Sequence, residues 1–298
     1  MNIGLKILSL VLLGQSVFAG VSPKPIEPTS IHKKLARLEH ELHGKIGIYA
    51  IDTNSGKIIS YRSDELFPFQ STFKFMGVSA LLSRDTSQQL LESKLTVTKN
   101  DLVLWSPISG QYLHHEVALR TLAEGAISYS DNTAINMIID ALGGLDKINQ
   151  FARRIGNQTF DLKHYELNLN SNPKNKSDAS TPKDMALSVK NILLGDVLSK
   201  SNKQLLMQWM RHNTTGYKRM RSGVPIGWSV ADKTGSGRYG VANDIGIVWF
   251  PSCKPIILSI YTYQNKKSAV ARDDVIANST EMLLDEFSKY GSCFKTIA

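Results

Sequence analysis

Strand-forming and helix-forming patterns are separated along this chain, and that separation limits the folds it can adopt. Two short apolar segments come early and are joined by the turn Thr53-Asn54-Ser55-Gly56, which predicts a hairpin. Three strand-like segments come late, and the long region between them is helical in pattern. The two ends must then share one sheet, which predicts an α/β fold with an antiparallel sheet flanked by helices and an inserted all-helical domain. The predicted strands are 45–51, 57–61, 228–232, 244–250 and 256–263.

The predicted insertion also sets the domain boundaries. Residues 20–65 and 213–298 would form the α/β domain and residues 66–212 the helical domain, with an active site between the two. A chain of 298 residues with 42% hydrophobic composition can bury cores of that size. Apolar periodicity predicts helices at 30–42, 117–126 and 269–290, among others.

The first 19 residues have the pattern of an export signal. Lys6 precedes the apolar segment 7–13, which is too short to span a bilayer, and Val17 and Ala19 supply the branched and small residues of a cleavage site. A permanent membrane anchor is the alternative, which the short apolar segment disfavours. We therefore expect cleavage near Gly20 and a chain without a membrane anchor. It would be periplasmic, or secreted if the source lacks an outer membrane.

The formal net charge of +9 does not by itself indicate a nucleic-acid partner. The Lys and Arg residues are scattered, and they form no basic stripe interleaved with aromatic residues. An exported protein also rarely meets nucleic acid. A solvated basic surface is the better interpretation. We expect a monomer that binds small molecules.

The two cysteines, Cys253 and Cys293, flank a predicted strand and helix. The helix 269–290 would return antiparallel along the strand 256–263 and bring the two thiols together. In an oxidising compartment this favours a disulfide, and two free thiols remain the alternative. Neither cysteine lies near the candidate site described next.

Three short motifs stand in a fixed order and carry the candidate chemistry. The first is Ser71-Thr72-Phe73-Lys74. The same Ser-x-x-Lys pattern also begins elsewhere, for example at Ser30, Ser180 and Ser292, but Ser71 opens an apolar segment typical of a buried helix. There the helix dipole and the unpaired N–H groups favour developing negative charge. Lys74, one turn later, would lie within reach of the Ser71 hydroxyl and could accept its proton if burial lowers the pKa of the amine.

The second and third motifs are Ser130-Asp131-Asn132 and Lys233-Thr234-Gly235. The Ser130 hydroxyl suits proton delivery to a leaving nitrogen, and the Asn132 amide suits a substrate amide. Thr234 and Ser236 share one face of a strand and are placed to hold a substrate carboxylate, whereas alternation sends Lys233 to the opposite face. The backbone N–H groups of Ser71 and Ser236 are candidates for an oxyanion hole. With Glu166 as an extra carboxylate, the set suits acylation and hydrolysis of a strained amide.

These residues resemble the class A serine β-lactamases over nearly the whole mature chain. The resemblance implies hydrolysis of penicillins and cephalosporins and leaves carbapenems open, with no cofactor and no metal. It implies that Glu166 and Asn170 hold the hydrolytic water, and that Lys233 supports Ser130 and the carboxylate site. Trp105 would form one wall, and Arg219 falls where some members, including class A carbapenemases, carry a carboxylate-supporting arginine. The matching segments are Trp105-Ser106-Pro107, Ser130-Asp131-Asn132-Thr133-Ala134, Gly143-Gly144, Glu166 with Asn170, Thr214-Thr215-Gly216 and Asp232-Lys233-Thr234-Gly235-Ser236-Gly237.

The sequence departs from the family pattern in two places. His164 stands where an arginine usually pairs with the aspartate at Asp178, and Leu167 replaces the proline common after the glutamate. A looser and pH-sensitive loop is expected, because a neutral histidine binds a carboxylate less strongly than arginine does. Gln70 and Gly237 also occupy the places where class A carbapenemases carry paired cysteines.

Three other functions are weighed against hydrolysis of β-lactams. A penicillin-binding D,D-peptidase shares the serine, lysine and Lys-Thr-Gly elements but would not use Glu166 to release its acyl-enzyme. A non-catalytic β-lactam sensor would need a membrane anchor and a cytoplasmic partner domain, and neither is visible in the sequence. A metal hydrolase is disfavoured, because the two histidines of His40-Glu41-Leu42-His43 are three residues apart and not four.

Overall fold

The computed structural model describes residues 29–85, 89–251 and 253–290. Its main sheet has five antiparallel strands in the order β2-β1-β9-β8-β7, with two small two-stranded ribbons, β3-β6 and β4-β5, outside it. The predicted fold class is confirmed, and the ribbons are additions that the sequence pattern did not indicate. The strands are β1 Gly44–Asp52, β2 Ile58–Tyr61, β3 Phe67–Pro68, β4 Lys94–Thr96, β5 Glu116–Ala118, β6 Ala179–Ser180, β7 Ser229–Gly237, β8 Val241–Trp249 and β9 Ile256–Gln264.

The centre of the sheet joins the two ends of the chain. β1 pairs with β9 along its whole length, from Gly44 opposite Gln264 to Asp52 opposite Ile256. β1 also forms the predicted hairpin with β2. β8 then links β9 to the edge strand β7, so that the late strands extend the sheet away from the hairpin. The helical region must therefore leave from and return to the same sheet.

The helices agree with the predicted bounds to within a few residues. The first helix coincides with the predicted segment 30–42, whereas the segment predicted as helix from 117 begins within β5 and becomes helical at Leu119. The final helix is shorter than the predicted 269–290. The helices are α1 Ser30–Leu42, α2 Phe73–Arg84, α3 Gln89–Glu92, α4 Leu119–Ser128, α5 Asn132–Leu142, α6 Leu145–Arg154, α7 Pro182–Leu193, α8 Lys200–Arg211 and α9 Asp273–Ser288.

Alternation along the strands divides the apolar residues between two cores. Side chains on a strand point alternately to opposite faces, so Ile46 and Ile48 pack on one side of β1, and Tyr49 and Ile51 take part in the core on the other. The first core lies under α1 and α9, and the second lies between the sheet and the helical region. The result is a layered arrangement with both faces of the sheet covered.

Helix α2 lies inside the second core. Its residues from Phe73 to Leu82 are all buried, which is the pattern of a helix surrounded by other elements rather than of an amphipathic surface helix. A short 3₁₀ turn, Gln70–Thr72, precedes it. Thr72 fixes this turn, because its hydroxyl lies 2.9 Å from the buried Tyr261 hydroxyl of β9. The candidate nucleophile is thus held on a rigid element.

Two sequence predictions fall partly or wholly on residues that the structure does not describe. The proposed signal, residues 1–19, lies outside the described ranges. Cys253 is disulfide-bonded, while Cys293, its predicted partner, lies outside the described residues. No helix within the described ranges is long and apolar enough to cross a membrane. The domain boundaries at 65/66 and 212/213 stay a prediction.

Substitution of Gly47 by alanine should destabilise the fold. A Cβ at Gly47, in the middle of β1, would lie 2.4 Å from the Phe67 ring and 2.7 Å from Pro182. Because the side chains around Gly47 are tightly packed, the added methyl group would crowd them. We expect a loss of about 1–3 kcal/mol in the free energy of unfolding, measured by chemical denaturation. Gly110→Ala is the matched control, since its Cβ would meet only Ser106 at 3.7 Å. Equal stability of the two variants would contradict the expected crowding.

Candidate active site

A cleft of about 260 Å³ lies between the edge strand β7 and the helical region. It brings together residues from all three sequence motifs, although these are far apart in the chain. A larger cavity of about 460 Å³ adjoins the segment 167–172 and lacks the motif serines. The smaller cleft is the candidate site, because it contains the groups able to react. Its lining residues are Ser71, Trp105, Ser130, Asn132, Thr215, Thr234, Gly235 and Ser236.

Ser71 is in the 3₁₀ turn before α2, with its hydroxyl directed at a carboxylate. Ser71 Oγ donates a hydrogen bond to Glu166 Oε1 at 3.0 Å. The backbone of β7 also approaches this turn closely, since a Cβ on Gly235 would lie 3.2 Å from the Ser71 nitrogen and 2.7 Å from the Phe69 oxygen. Only glycine fits at that approach. The strand backbone and the Ser71 N–H therefore lie at the same point of the cleft.

Lys74 is fully buried and linked to several acceptors. Its Nζ donates to the Ser130 carbonyl at 2.7 Å and to Asn132 Oδ1 at 2.5 Å, and it lies 3.1 Å from Glu166 Oε1. Burial lowers the pKa of Lys74, and the negative charge of Glu166 opposes that effect. No described hydrogen bond joins Lys74 to Ser71. Lys74 and Ser71 instead both contact one Glu166 oxygen, and the predicted transfer of the Ser71 proton to Lys74 stays a prediction.

Ser130 lies in the short connection between α4 and α5, with a positive φ of 58°. Its hydroxyl accepts hydrogen bonds from two buried amines, from Lys74 Nζ at 3.3 Å and from Lys233 Nζ at 3.1 Å. Since both bonds use its lone pairs, the hydroxyl proton is free to be donated into the cleft. Ser130 lines the cleft, and its role in proton delivery stays a prediction.

Asp131 fixes the position of Ser130. This carboxylate is fully buried and accepts from the backbone N–H groups of Ile108, Ser109 and Ala134 and from the Ser109 hydroxyl, all within 2.9 Å. The bond to Ala134 caps the start of α5. A single side chain therefore ties the loop before α4 to the turn that carries Ser130.

Lys233 reaches the site from the inner face of β7. It lies opposite Ile245, whose side chain belongs to the core between the sheet and the helices. Alternation therefore directs Lys233 toward the helical region, and its length brings Nζ to Ser130. Burial lowers its pKa to about 7, and the charge of Lys74 acts in the same direction against the opposing carboxylates.

The opposite face of β7 presents hydroxyl groups to the cleft. The Thr234 hydroxyl pairs with that of Thr215, and Ser236 Oγ accepts from the Arg219 guanidinium at 2.6 Å. Arg219 is buried and also donates to the Gly235 and Asn243 carbonyls. Asp273 at the start of α9 holds it through an ion pair of 2.7 Å. This part of the cleft therefore carries a fixed positive charge behind two hydroxyls.

Trp105 and Asn132 form the other wall of the cleft. The Trp105 side chain is exposed, with a positive φ of 67°, and its Nε1 donates to the Tyr129 carbonyl at 2.9 Å. Asn132 is nearly buried, and its amide nitrogen donates to the Leu104 carbonyl. Its oxygen already accepts from Lys74. Asn132 therefore orients the lysine as well as lining the cleft.

Glu166 is positioned by α5. Asn136 forms two hydrogen bonds to the Glu166 backbone, donating to its carbonyl at 2.8 Å and accepting from its N–H at 3.1 Å. The Glu166–Leu167 peptide bond is cis. The sequence pattern did not single out Asn136, although it lies one helical turn after Asn132 and so shares its face. That spacing was the signal that could have found it.

The loop that carries Glu166 closes on Asp178. This buried carboxylate accepts from the backbone N–H groups of Lys163, His164 and Asn170, and it contacts His164 Nδ1 at 2.6 Å. The predicted contact of His164 with Asp178 is therefore present. Backbone donors make three of these four contacts, so the histidine is not the main support of the carboxylate.

Asn170 is placed differently from the expectation. Its side-chain nitrogen donates to the carbonyls of Asn172, Asn175 and Ser177, and its oxygen accepts from the Asn172 N–H. All of its described side-chain hydrogen bonds stay within the loop, and none reaches Glu166. Its role in holding water stays a prediction, and its visible role is to shape the loop.

No cluster of three or more His, Cys, Asp or Glu residues suited to a metal occurs in the described parts of the chain.

Comparison with known proteins gives consistent matches over most of the chain. A sequence model of the Beta-lactamase enzyme family matches residues 30–287. The chain is 41% identical over 251 residues to Beta-lactamase 3 of Bacillus cereus, covering 84% of this chain and 79% of that protein. It is 38% identical over 283 residues to the Imipenem-hydrolyzing beta-lactamase of Enterobacter cloacae, covering 94% and 95% of the two chains. A solved β-lactamase structure from Desulfarculus baarsii DSM 2075 is similar with a TM-score of 0.85 and 36% identity, covering 86% of this chain and 97% of that one.

Replacement of Asp131 by alanine should unfold this part of the site. Four donors, three of them buried, would lose their acceptor, so we expect a loss of about 3 kcal/mol or more in the free energy of unfolding. Chemical denaturation measures it. Asp146→Ala, at an exposed position in the first turn of α6, is the matched control and should cost less than about 1 kcal/mol. Comparable losses in both variants would contradict the assigned role of Asp131.

Proposed function

The chain belongs to the Beta-lactamase enzyme family and hydrolyses β-lactam amides, and we propose that it does so through a covalent ester on Ser71 that Glu166 helps water to cleave. The observation that carries this proposal is the shared oxygen of Glu166. It accepts from Ser71 Oγ at 3.0 Å and lies 3.1 Å from Lys74 Nζ. The Ser71 hydroxyl can therefore pass its proton directly to Glu166, and the Lys74 ammonium lies beside the same carboxylate oxygen.

In the acylation step, Ser71 Oγ attacks the carbonyl carbon of the four-membered ring. The hydroxyl proton passes to Glu166 Oε1, its hydrogen-bond acceptor, and Lys74 stabilises the arrangement beside it. The oxygen of the tetrahedral intermediate would be held by the N–H groups of Ser71 and Ser236, whose segments meet at Gly235. This close approach of strand and turn supports the proposed oxyanion hole.

Opening of the ring requires a proton on the departing nitrogen. Ser130 is suited to deliver it, because two lysines occupy its lone pairs and leave its proton for the substrate. Proton replacement can then come from Lys74 or Lys233, which both contact the same hydroxyl. A positioned acid of this kind typically contributes about 10²- to 10⁴-fold to the rate.

The substrate carboxylate would bind at the hydroxyl face of β7. Thr234 and Ser236 face the cleft, and Arg219 supports Ser236 from behind. Because Ser236 Oγ accepts from Arg219, its own proton is available to donate to a carboxylate. Charge-assisted hydrogen bonds of this type are stronger than neutral ones.

Deacylation uses Glu166 as the general base. Once Ser71 carries the acyl group, its Oγ no longer has a proton to donate to Glu166. The proton that Glu166 took up during acylation passes to Lys74, 3.1 Å away, which replaces the proton delivered through Ser130. The ionised Glu166 then accepts a proton from water as that water attacks the ester, and it returns this proton to Ser71 Oγ as the ester bond breaks. This sequence of roles favours turnover of β-lactams over the two rival functions, a D,D-peptidase or a sensor, because each of those would retain the acyl group that a β-lactam leaves on the serine.

We also propose that the chain is a class A enzyme and that it is periplasmic, or secreted if the source lacks an outer membrane. We expect penicillins and cephalosporins as substrates, and a panel that adds a carbapenem tests the breadth of the cleft. The relative from Enterobacter cloacae is named for imipenem hydrolysis and spans nearly the same length. A monomer exported by the signal at residues 1–19 is the expected state.

Replacement of Glu166 by alanine should trap the acyl-enzyme. Burial lowers the pKa of Lys74 and Glu166 opposes this, so loss of Glu166 leaves Lys74 more able to accept the Ser71 proton. Acylation should therefore continue while deacylation falls by about 10²- to 10⁴-fold. Intact mass spectrometry after mixing with a cephalosporin should show an adduct on Ser71.

Ser71→Ala is the control for this experiment and should form no adduct. Rapid steady turnover of a chromogenic cephalosporin by Glu166→Ala would remove Glu166 from its assigned role. Adduct formation in the Ser71→Ala variant would move the nucleophile elsewhere.

Titration of Lys233 should appear in substrate binding. Its pKa is lowered to about 7, so the ammonium is present below that pH and is lost as the pH rises through it. The positive charge favours a bound carboxylate, so KM should increase as the pH rises through about 7. Lys233→Arg keeps its charge over this range and should show a flatter KM profile. Identical profiles for the two proteins would contradict the assignment.

A further inference from the structure

The middle of the loop that carries Glu166 has one polar attachment to the rest of the protein. Near its ends the loop 163–178 is held by Asn136, by the bond from Tyr165 to Asp140, and by the Asp178 carbonyl, which accepts from Phe69 N–H. Across the stretch 167–177, within the described part of the chain, the only hydrogen bond from outside the loop comes from Gln70. Its Nε2 donates to the Asn170 carbonyl at 2.6 Å.

Gln70 immediately precedes the nucleophile. It is nearly buried and has a positive φ of 47°, in the turn that leads to Ser71. Its side-chain oxygen fills space that only a glycine leaves, because a Cβ on Gly237 would lie 2.6 Å from Gln70 Oε1 and 2.8 Å from Ser171 Oγ. Gln70 thus contacts the nucleophile turn, the loop and the end of β7 at once.

We propose that Gln70 is a positioning residue for deacylation, which fixes the distance between Ser71 and Glu166 through its bond to the Asn170 carbonyl. The proposal rests on the proposed function, since it concerns the step that Glu166 assists. The geometric reason is the length of chain involved. Glu166 lies four residues before Asn170, and Ser71 lies one residue after Gln70. Glu166 and Ser71 are therefore connected through a short segment of the loop, the hydrogen bond from Gln70 to the Asn170 carbonyl, and the single peptide link from Gln70 to Ser71.

Loss of this bond should act on the two chemical steps unequally. Acylation can continue when Glu166 is displaced, because Lys74 can then accept the Ser71 proton, and Asp131 holds the turn of Ser130 without Gln70. Deacylation needs a water molecule between Glu166 and the ester, and a displacement of about 1 Å there is costly to catalysis. A variant without the donor should therefore accumulate the acyl-enzyme while forming it at the normal rate.

Gln70→Met tests this, because methionine keeps the length of the side chain and removes its N–H donors. We expect kcat to fall about tenfold, as for loss of one buried hydrogen bond, with a parallel fall in KM and little change in kcat/KM. Rapid mixing should show a burst of product, and intact mass spectrometry a Ser71 adduct during turnover. A simply unstable protein would lose active enzyme without this parallel change.

Gln70→Glu provides a second, independent readout. An ionised carboxylate repels the Asn170 carbonyl, whereas the protonated acid carries an O–H that can donate to it. Burial raises the pKa of a carboxyl group, which brings this change toward the working range. The ratio of kcat for Gln70→Glu to kcat for the unmodified enzyme should therefore rise as the pH falls.

Gln111→Met is the matched control. Gln111 also donates through Nε2 to a backbone carbonyl, that of Pro107 at 2.6 Å, but it is exposed and lies away from the loop. This variant should match the unmodified enzyme in both kcat and KM, with no adduct accumulating.

The outcomes separate this inference from the proposed function. If Glu166→Ala accumulates the Ser71 adduct while Gln70→Met turns over normally, the role of Gln70 is wrong and the mechanism stands. A loss confined to kcat/KM would also overturn it, because that points to acylation. If Gln70→Met does not fold, the proposal is refuted when the ratio of kcat for Gln70→Glu to kcat for the unmodified enzyme does not change with pH. If Glu166→Ala forms no adduct, the mechanism itself fails.

Discussion

A carboxylate and an ammonium group, both almost excluded from water, meet beside the Ser71 hydroxyl, and the rest of the site depends on that contact. Burial of an ion pair is costly unless the remaining donors and acceptors are satisfied. Lys74 satisfies this requirement with bonds to Ser130 and Asn132, and Asn136 holds the Glu166 backbone. The residues around the pair are thus partners that make a buried charge tolerable, and they also hold it in a reactive geometry.

The sheet explains how such distant residues come together. Pairing of β1 with β9 closes the chain on itself, and β8 then carries the edge strand β7 to the helical region. Helices α2 and α5 bring the first two motifs to that edge from the opposite side. The site is therefore a junction of two parts of the fold, and three fully buried charged groups lie where those parts meet. These are Lys74, Lys233 and Asp131.

Most of the fold could be predicted because it depends on local periodicity. The apolar positions of α1 repeat at helical spacing, and the predicted bounds agree with the structure. The ribbon residues of β5 were assigned to a helix, because a three-residue strand is too short to show a period of two. Contacts between residues that are far apart in the chain were harder to predict from the sequence. The sequence indicated Lys74 as a partner of Ser71, whereas both side chains converge on Glu166, whose distance from them depends on how the loop 163–178 folds back.

The order and chemistry of the motifs were determined by the sequence alone, since a nucleophile, an acid, an anion-binding strand and a carboxylate can be identified from residue type and spacing. The same patterns indicated the antiparallel sheet and the helical insertion. Tertiary structure alone decided which donors meet which acceptors: that Asn170 turns into its own loop, that Asn136 holds Glu166, and that Gln70 reaches the Asn170 carbonyl. Hydrogen bonds act over about 3 Å, and no spacing along the chain fixes a distance that small between segments that meet only after packing.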